Sequence, residues 1–388
     1  MRRTGVLLTA LAACSVALAG AVAGPAAADG GPVGGLLLGT TRVVVTPGAT
    51  PTPKVGAAAW MVADATTGTV LAAKDPHGRF MPASTLKTLT ALTVLPLLDK
   101  AASYVGRDQD TSVEGTRVGI VAGQSYTVDQ LFYGLFLASG NDAASALANA
   151  AGGWPATVRR MNAEAHALQA DDTHAVNPSG LDAKGQFTSV YDLALFARVG
   201  LARPDFRVYA ATHVFAFPGV KKRGASGLRP TFQIQNQNRL LMDGYRGIVG
   251  VKTGYTTMAG RTYVGAAERD GHLILVTMMR IDGPTEDAGR KLLDWGFANV
   301  GKPGVGQLVP PLSEIAPSTG PRVSPVAAGI GAHVGSRPSS LPAVLFGGTG
   351  AAALVLLGAV GVGSIRRRRE SRSQAIRLTA TARRNTRL

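Results

Sequence analysis

The chain has 388 residues, of which 46% are hydrophobic and 16% are charged, and its formal net charge is +16 at pH 7. This length and hydrophobic content suit one large domain or two ordinary ones, and they exclude disorder throughout. Nine Arg and one Glu follow residue 365 and two Arg precede the first apolar run, which leaves a surplus of about +6 for the rest. The charge therefore does not indicate a nucleic-acid partner, and none is expected.

Residues 1–28 have the pattern of a secretory signal peptide. Two arginines precede an apolar run from Val6 to Val22, and small residues then end in an A-x-A cleavage site near Ala28. A transmembrane anchor is the weaker interpretation, because the run is short and ends in small residues. Cys14, the only cysteine, follows Leu-Ala-Ala as in a lipobox, but the apolar run continues past it. We therefore expect a mature chain without a disulfide or a thiol nucleophile.

Between this leader and the far end, composition predicts two linkers and one body. Residues 29–54 are rich in Gly, Pro and Thr, and residues 301–341 are rich in Pro. The intervening body, residues 55–300, would hold the function.

Patterning within the body predicts an α+β fold. Apolar runs at 57–63 and 70–73, joined by a Thr-Thr-Gly turn, indicate a hairpin, and residues 82–200 indicate several helices. Further strands are predicted at 248–251, 262–267 and 273–279, with an Asp-Gly turn at 270–271 and a final helix at 286–297. Strands at both ends of the body predict one antiparallel sheet flanked by a helical cluster.

Residues 342–365 are predicted to form one C-terminal transmembrane helix. The uncharged run from 341 to 365 exceeds the roughly 20 residues that a bilayer requires. Arg366 to Arg369 follow at once, so residues 366–388 would be a basic cytoplasmic tail near anionic lipid, with the body on the outside. A buried core helix is the weaker alternative, because Gly and Ala fill the run.

The first candidate motif is Pro82-Ala83-Ser84-Thr85-Leu86-Lys87, where a helix should begin. Ser84 and Lys87 are three residues apart and would share a helix face, so the amine could take the proton of the hydroxyl. An S-x-x-K match arises by chance about once or twice in such a chain. Taken alone, it is equally well explained as a solvated helix start.

Two further motifs follow along the chain. Ser139-Gly140-Asn141 lies between two predicted helices, where its hydroxyl and amide could assist proton transfer, or where Asn141 or Asp142 could simply cap the second helix. Lys252-Thr253-Gly254 lies at a strand end, where it could bind a carboxylate and let a peptide pair with the strand, or be only an exposed strand end.

Together, the order S-x-x-K, S-x-N, K-T-G matches the signature of penicillin-recognising serine enzymes. A lysine near Lys87 would also lower its pKa by repulsion between like charges. From 57 to 297 the chain resembles the low-molecular-mass penicillin-binding proteins that are serine-type D-Ala-D-Ala carboxypeptidases of peptidase family S11. The resemblance includes the segments Asn177-Pro178-Ser179-Gly180-Leu181-Asp182 and Asn236-Gln237-Asn238-Arg239-Leu240-Leu241, and Tyr255 after K-T-G.

The resemblance implies a β-lactamase/transpeptidase-like fold and an acyl-enzyme on Ser84, with Lys87 as base. Ser139 and Asn141 would assist, Lys252, Thr253 and Gly254 would bind the substrate, and the N–H groups of Ser84 and Tyr255 would form the oxyanion hole. It further implies removal of the terminal D-alanine from peptidoglycan stem peptides, acylation by β-lactam antibiotics, and a bacterial membrane location with the catalytic domain outside the cell.

Two departures limit this transfer of roles. Many relatives carry a separate all-β domain after the catalytic domain, whereas here a proline-rich segment follows. In some relatives an arginine occupies the position of Gln237 and reads the substrate carboxylate. Arg239 or Arg261 would have to replace it here.

Other functions are less well supported by the sequence. A class A β-lactamase needs a glutamate in an E-x-x-L-N loop, and between Ser139 and Lys252 the only glutamate, Glu164, does not fit it. The six histidines lack metal-ligand spacing, so neither a metal nor another cofactor is expected. A non-catalytic scaffold that binds peptidoglycan is an alternative, against which the intact Ser84, Lys87 and Lys252 argue.

Overall fold

In a computed structural model of the chain, residues 31–221, 224 and 226–315 are described. Their main sheet has the strand order β1-β3-β2-β10-β9-β8, is antiparallel throughout, and carries β11 as an additional partner of β3. The strands are β1 (Val43–Val45), β2 (Ala57–Asp64), β3 (Thr69–Lys74), β4 (Ser103–Val105), β5 (Ser125–Thr127), β6 (Val214–Pro218), β7 (Thr231–Gln235), β8 (Ile248–Thr256), β9 (Gly260–Arg269), β10 (His272–Ile281) and β11 (Gly306–Gln307).

The helices lie mostly between the two halves of the sheet along the chain, as expected. They are α1 (Lys87–Val94), α2 (Asp108–Thr111), α3 (Val128–Phe136), α4 (Asn141–Ala150), α5 (Trp154–Ala167), α6 (Val190–Ala202), α7 (Pro204–Ala211), α8 (Arg239–Met242) and α9 (Thr285–Ala298). Two small hairpins, β4-β5 and β6-β7, accompany them. The predicted antiparallel sheet flanked by a helical cluster is thus confirmed.

Both faces of the sheet are covered by helices. Along β2, Met61 and Ala63 pack into the larger core with α1 and α6, whereas Trp60 and Val62 pack into a second core with α9. This alternation follows from the two-residue period of a strand. The predicted Asp270-Gly271 turn joins β9 to β10, with both residues at positive φ (51° and 80°), as a tight hairpin turn requires.

The assignment of residues 29–54 to a linker is wrong for the part that the structure describes. Val43–Val45 pair with β3, and the Leu38 side chain is completely buried in the larger core. The second predicted linker likewise begins too early, because Gly306–Gln307 pair with β3 and Leu308 is buried. Short apolar runs among glycines and prolines can complete a sheet edge, and composition does not reveal this.

No helix in the described ranges is long and apolar enough to cross a membrane. The predicted signal peptide, the predicted transmembrane helix at 342–365 and the predicted basic tail all lie outside those ranges.

Candidate active site

Ser84 lies in a short 3₁₀ turn, Ala83–Leu86, that leads directly into α1. The residue before it, Ala83, has a φ of +48°, a conformation that only surrounding structure can hold in place. The carbonyl of Pro82 supplies part of this support, since it accepts hydrogen bonds from Thr85 Oγ1 (2.5 Å) and Thr262 Oγ1 (2.9 Å). The turn that carries the hydroxyl is therefore fixed to β9.

Lys87 is 1% exposed, and its ammonium group is held by three oxygens. Nζ donates to Ser84 Oγ (2.8 Å), to Asn141 Oδ1 (2.7 Å) and to the carbonyl of Ser179 (2.7 Å). The predicted S-x-x-K pair thus shares a face and lies within hydrogen-bond reach. When Lys87 is neutral, it can still donate to Asn141 and Ser179 while its lone pair accepts the Ser84 hydroxyl.

The surroundings of Lys87 lower its pKa well below the ordinary value. Burial is the largest cause and the charge of Lys252 is the second, while Asp142 acts in the opposite direction. The pKa of Lys252 itself is lowered to about 7, because its side chain is buried. Burial and the neighbouring charge of Lys252 therefore both favour the neutral form of the amine beside Ser84.

The S-x-N motif forms the turn between α3 and α4. Ser139 is buried with a φ of +56°, and Asn141 begins α4. The alternative of a side-chain cap from Asn141 or Asp142 is not realised, since Gly140 occupies the N-cap position and no side-chain cap hydrogen bond is made there. Instead, Asn141 donates through Nδ2 to the Glu114 carbonyl (2.7 Å) while accepting from Lys87, so its amide orientation is fixed.

Asp142 fixes the segment that passes over this turn. Its carboxylate accepts from the backbone N–H groups of Val118 (2.9 Å), Gly119 (2.8 Å) and Ile120 (3.0 Å). This buried acid is a contributor that the sequence did not reveal as part of the site. It also supplies the negative charge that opposes the lowering of the Lys87 pKa.

The K-T-G motif lies within β8, at the exposed edge of the sheet, rather than at the end of the strand. Lys252 is 2% exposed and donates to the carbonyl of Thr253 (2.9 Å). At Gly254, a Cβ atom would come within 2.7 Å of Ser84 N and would also collide with Thr262 Oγ1. Glycine is thus required because the nucleophile turn packs against the strand, a stronger reason than room for a substrate.

A cleft of about 280 Å³ opens in front of Ser84. Ser139, Thr253, Gly254 and Tyr255 line it. The N–H of Ser84 lies at the start of the turn, where helical geometry leaves it without an intrahelical partner. The Ser84 hydroxyl and the Ser84 backbone N–H, which has no intrahelical partner, therefore lie at the same cleft.

Arg239 and Arg261, the two candidate carboxylate readers, also line this cleft. Arg239 begins α8, and the Arg261 guanidinium lies 5.7 Å from the centre of the Tyr255 ring. Gln237 lines the cleft too, with its side-chain amide donating to the Ala138 carbonyl (3.1 Å). The nine other residues predicted for the site are therefore gathered around Ser84.

Glu164 lies elsewhere. It is in the last turn of α5 and does not line the cleft. Burial raises the pKa of its carboxyl, and the charge of Arg203, which follows α6, acts in the opposite direction. The only glutamate between Ser139 and Lys252 is thus in no position to activate a water beside Ser84.

Comparisons with known proteins show which family the chain resembles. The family described as Peptidase_S11, D-alanyl-D-alanine carboxypeptidase, matches residues 46–281. The D-alanyl-D-alanine carboxypeptidase DacB2 of Mycobacterium tuberculosis is 41% identical over 268 residues, which cover 67% of this chain and 89% of that protein. DacD of Salmonella typhimurium is 35% identical over 262 residues and 64% of each chain, so the match spans less than two thirds of its length.

Solved structures show the same relationship. A D-alanyl-D-alanine carboxypeptidase from Mycobacterium tuberculosis superposes with a TM-score of 0.64 at 41% identity, covering 68% of this chain and 99% of that one. The Streptomyces K15 DD-transpeptidase gives a TM-score of 0.60 at 28% identity, covering 64% of this chain and all of that one. The chain belongs to the peptidase S11 family of D-alanyl-D-alanine carboxypeptidases, which are serine hydrolases.

Proposed function

We propose that this protein removes the terminal D-alanine from peptidoglycan stem peptides through an acyl-enzyme on Ser84, and that β-lactam antibiotics acylate the same serine. The observation that carries the proposal is the position of Lys87 Nζ, 2.8 Å from Ser84 Oγ and 2.7 Å from Asn141 Oδ1, with a strongly lowered pKa. A buried amine of this kind is a base matched to a serine hydroxyl.

In the first step, neutral Lys87 takes the Ser84 proton as Oγ attacks the carbonyl carbon of the penultimate D-alanine. The N–H groups of Ser84 and Tyr255 receive the negative charge that develops on the carbonyl oxygen. As the peptide bond breaks, the proton passes from Lys87, with the help of Ser139, to the amine of the departing D-alanine. Lys252 and Thr253 bind the carboxylate of that residue, with Arg239 or Arg261 as a further cation.

In the second step, water attacks the ester carbonyl and Ser84 Oγ takes back a proton, which releases the shortened peptide. A β-lactam would acylate Ser84 by opening its ring, so that its leaving amine stays attached. Because Glu164, the only glutamate between Ser139 and Lys252, lies away from the cleft, it cannot take the role of the glutamate that a class A β-lactamase uses for hydrolysis. We therefore expect the penicilloyl ester to persist, which makes the protein a target of these drugs.

We further propose that the protein is exported and tethered to the bacterial membrane by residues 342–365, with the catalytic domain outside the cell and residues 366–388 in the cytoplasm. The support is the uncharged run followed by four arginines, together with the apolar leader before Ala28. Separation of cell fractions, with protease accessibility of the catalytic domain in spheroplasts, tests the location.

The activity is tested with a soluble pentapeptide that ends in D-Ala-D-Ala. The expected result is release of one equivalent of free D-alanine per peptide, abolished in Ser84→Ala. Binding of the peptide without release of D-alanine by the wild type would favour the non-catalytic scaffold. Rapid hydrolysis of penicillin with full recovery of activity would favour a β-lactamase.

A further inference from the structure

A second concave surface, which we call the α4 groove, lies beside the catalytic cleft. Its volume is about 790 Å³, and Arg107, Gln109, Val113, Asn149 and Trp154 are among the residues that line it. None of these residues has a role in the proposed reaction.

The α4 groove is connected to the catalytic site by one helix. Asn141 begins α4, and Ser145 and Asn149 in the groove follow at intervals of four residues on the same face. At 1.5 Å per residue they lie about 6 Å and about 12 Å along the axis from Asn141. The chain between the two sites forms a common wall, since Val113 lines the groove and Thr116 lines the cleft.

The groove is rigid because a buried carboxylate organises its floor. Asp110 is completely buried and accepts from Tyr104 Oη (2.7 Å), Ser145 Oγ (2.8 Å) and Asn149 Nδ2 (2.6 Å). The indole N–H of Trp154 donates to Ser145 Oγ (3.1 Å), which fixes the plane of the ring. The aromatic side chain is thus held in place before any ligand arrives, which lowers the entropic cost of binding.

The chemistry of the groove suits a ligand with both apolar and amide character. Trp154 offers an amphipathic ring, and Gln109 offers an exposed amide. The Asn149 amide nitrogen donates to Asp110, so its side-chain oxygen is the part of the amide that remains to accept an N–H. Gly152 and Gly153, both at positive φ (102° and 98°), present bare backbone beside Trp154.

We propose that the α4 groove binds an N-acetylated amino sugar of the glycan chain to which the stem peptide is attached. An aromatic ring packs against the apolar face of a sugar, and the two amides match an acetamido group. Four residues separate the scissile bond from the sugar, and an extended chain of that length spans about 13 Å, which is the scale of the step from Asn141 to Asn149. This inference rests on the proposed function and names a feature of its substrate.

The test compares two substrates, a pentapeptide ending in D-Ala-D-Ala and the same pentapeptide attached to its disaccharide. Trp154→Ala should lower kcat/KM for the disaccharide substrate about tenfold, the effect of losing one central contact, and leave the free pentapeptide unchanged. Trp154→Phe should retain most of the wild-type kcat/KM for the disaccharide substrate. Gln109→Ala should show a smaller loss of about threefold with the same selectivity, which keeps the test open if Trp154→Ala folds poorly.

Gln233→Ala is the matched control, because Gln233 is an exposed glutamine on β7 that does not line the α4 groove. It should change neither substrate. Equal losses on both substrates, or no loss on either, would overturn the inference. If the wild type cleaves neither substrate, the proposed function fails instead. The α4 groove is then tested separately by NMR titration of the peptide-free disaccharide into wild type and Gln109→Ala. Binding that the variant weakens supports the sugar site, and absence of binding overturns it.

Discussion

The carbonyl oxygen of Ser179 lies 2.7 Å from Nζ of Lys87, although 92 residues separate them in the chain. The turn that presents this carbonyl is built by Asn177, whose Oδ1 accepts from the N–H groups of Ser179 (3.1 Å) and Gly180 (2.9 Å). Gly180 has a φ of +80°, and a Cβ there would overlap the Ala83 carbonyl. The turn therefore contacts the nucleophile segment directly and fixes the third partner of the amine.

Asn177→Ala should slow the acylation of Ser84 by penicillin about tenfold or more, because a loosened turn lets the lysine move from its position. Stopped-flow or quench-flow labelling measures this rate. Asn162→Ala is the matched control, since the Asn162 amide fixes a loop in a similar way through Ala175 (2.9 Å and 2.8 Å) but does not line the cleft. If penicillin acylated Asn177→Ala at the wild-type rate, or acylated the Asn162→Ala control as slowly as Asn177→Ala, the positioning role of the turn would be contradicted.

Lys252→Met should raise the pKa of Lys87. Burial is the larger cause of the lowered pKa and remains in the variant, but the repulsion from a second ammonium is lost and the attraction to Asp142 persists. NMR titration of lysine side chains in wild type and variant measures the change. A Lys87 pKa that is unchanged or lower in the variant would show that the charge of Lys252 does not repel that of Lys87.

The same substitution should change how stability depends on pH. The pKa of Lys252 is about 7 in the folded protein and near its ordinary value of 10.5 in the unfolded chain. Between these values the unfolded state binds more protons, so this residue makes the wild type more stable as pH rises from 7 to 10. Denaturant unfolding of wild type and Lys252→Met across this range should show a smaller rise in the variant. Parallel curves would argue against a buried, depressed Lys252.

Gly254→Ala should reduce acylation about a hundredfold, as expected for a displacement of about 1 Å at the reacting groups. The new methyl group would press on Ser84 N and on Thr262. Circular dichroism should show that the variant is still folded, because the collision is local to the sheet edge. A variant with normal acylation would mean that the turn and strand are not in contact.

Leu38→Ala should lower the free energy of unfolding by about 2–5 kcal/mol, since the side chain is fully buried in the larger core. Leu36→Ala is the control two residues away, where the side chain is 82% exposed and the change should stay within about 0.5 kcal/mol. Denaturant unfolding of a soluble form that retains residues 31–315 measures both. Equal effects would mean that residues 31–45 are a linker after all.

Much of the fold could be predicted from local patterns. The hairpin of β2 and β3, the turn at Asp270-Gly271 and the helix α9 follow from strand alternation, turn residues and apolar spacing, which act over a few residues. The pairing of Val43–Val45 with β3 could not be predicted in this way. It depends on which sheet edge remains open, and that is a property of the whole fold.

The same distinction between local patterns and properties of the whole fold applies to the candidate site. Side chains that belong to short motifs, such as Ser84, Asn141 and Lys252, could be found because the chemistry demands their types and spacing. The Ser179 carbonyl could not, since a backbone oxygen has no signature in the sequence, although its segment was already among those that resemble the family. For Asp142 the sequence suggests only that it could cap a helix, the common use of an acid at that position, whereas its carboxylate accepts hydrogen bonds from the 118–120 backbone.

The most direct test of the central claim, that Lys87 and Lys252 flank one reactive hydroxyl, is to label the protein with a fluorescent penicillin and to map the modified residue by mass spectrometry. A single stable adduct on Ser84, lost in Ser84→Ala and strongly slowed in Lys87→Ala, is the predicted result. An adduct on another residue, or labelling that survives Ser84→Ala, would contradict the account.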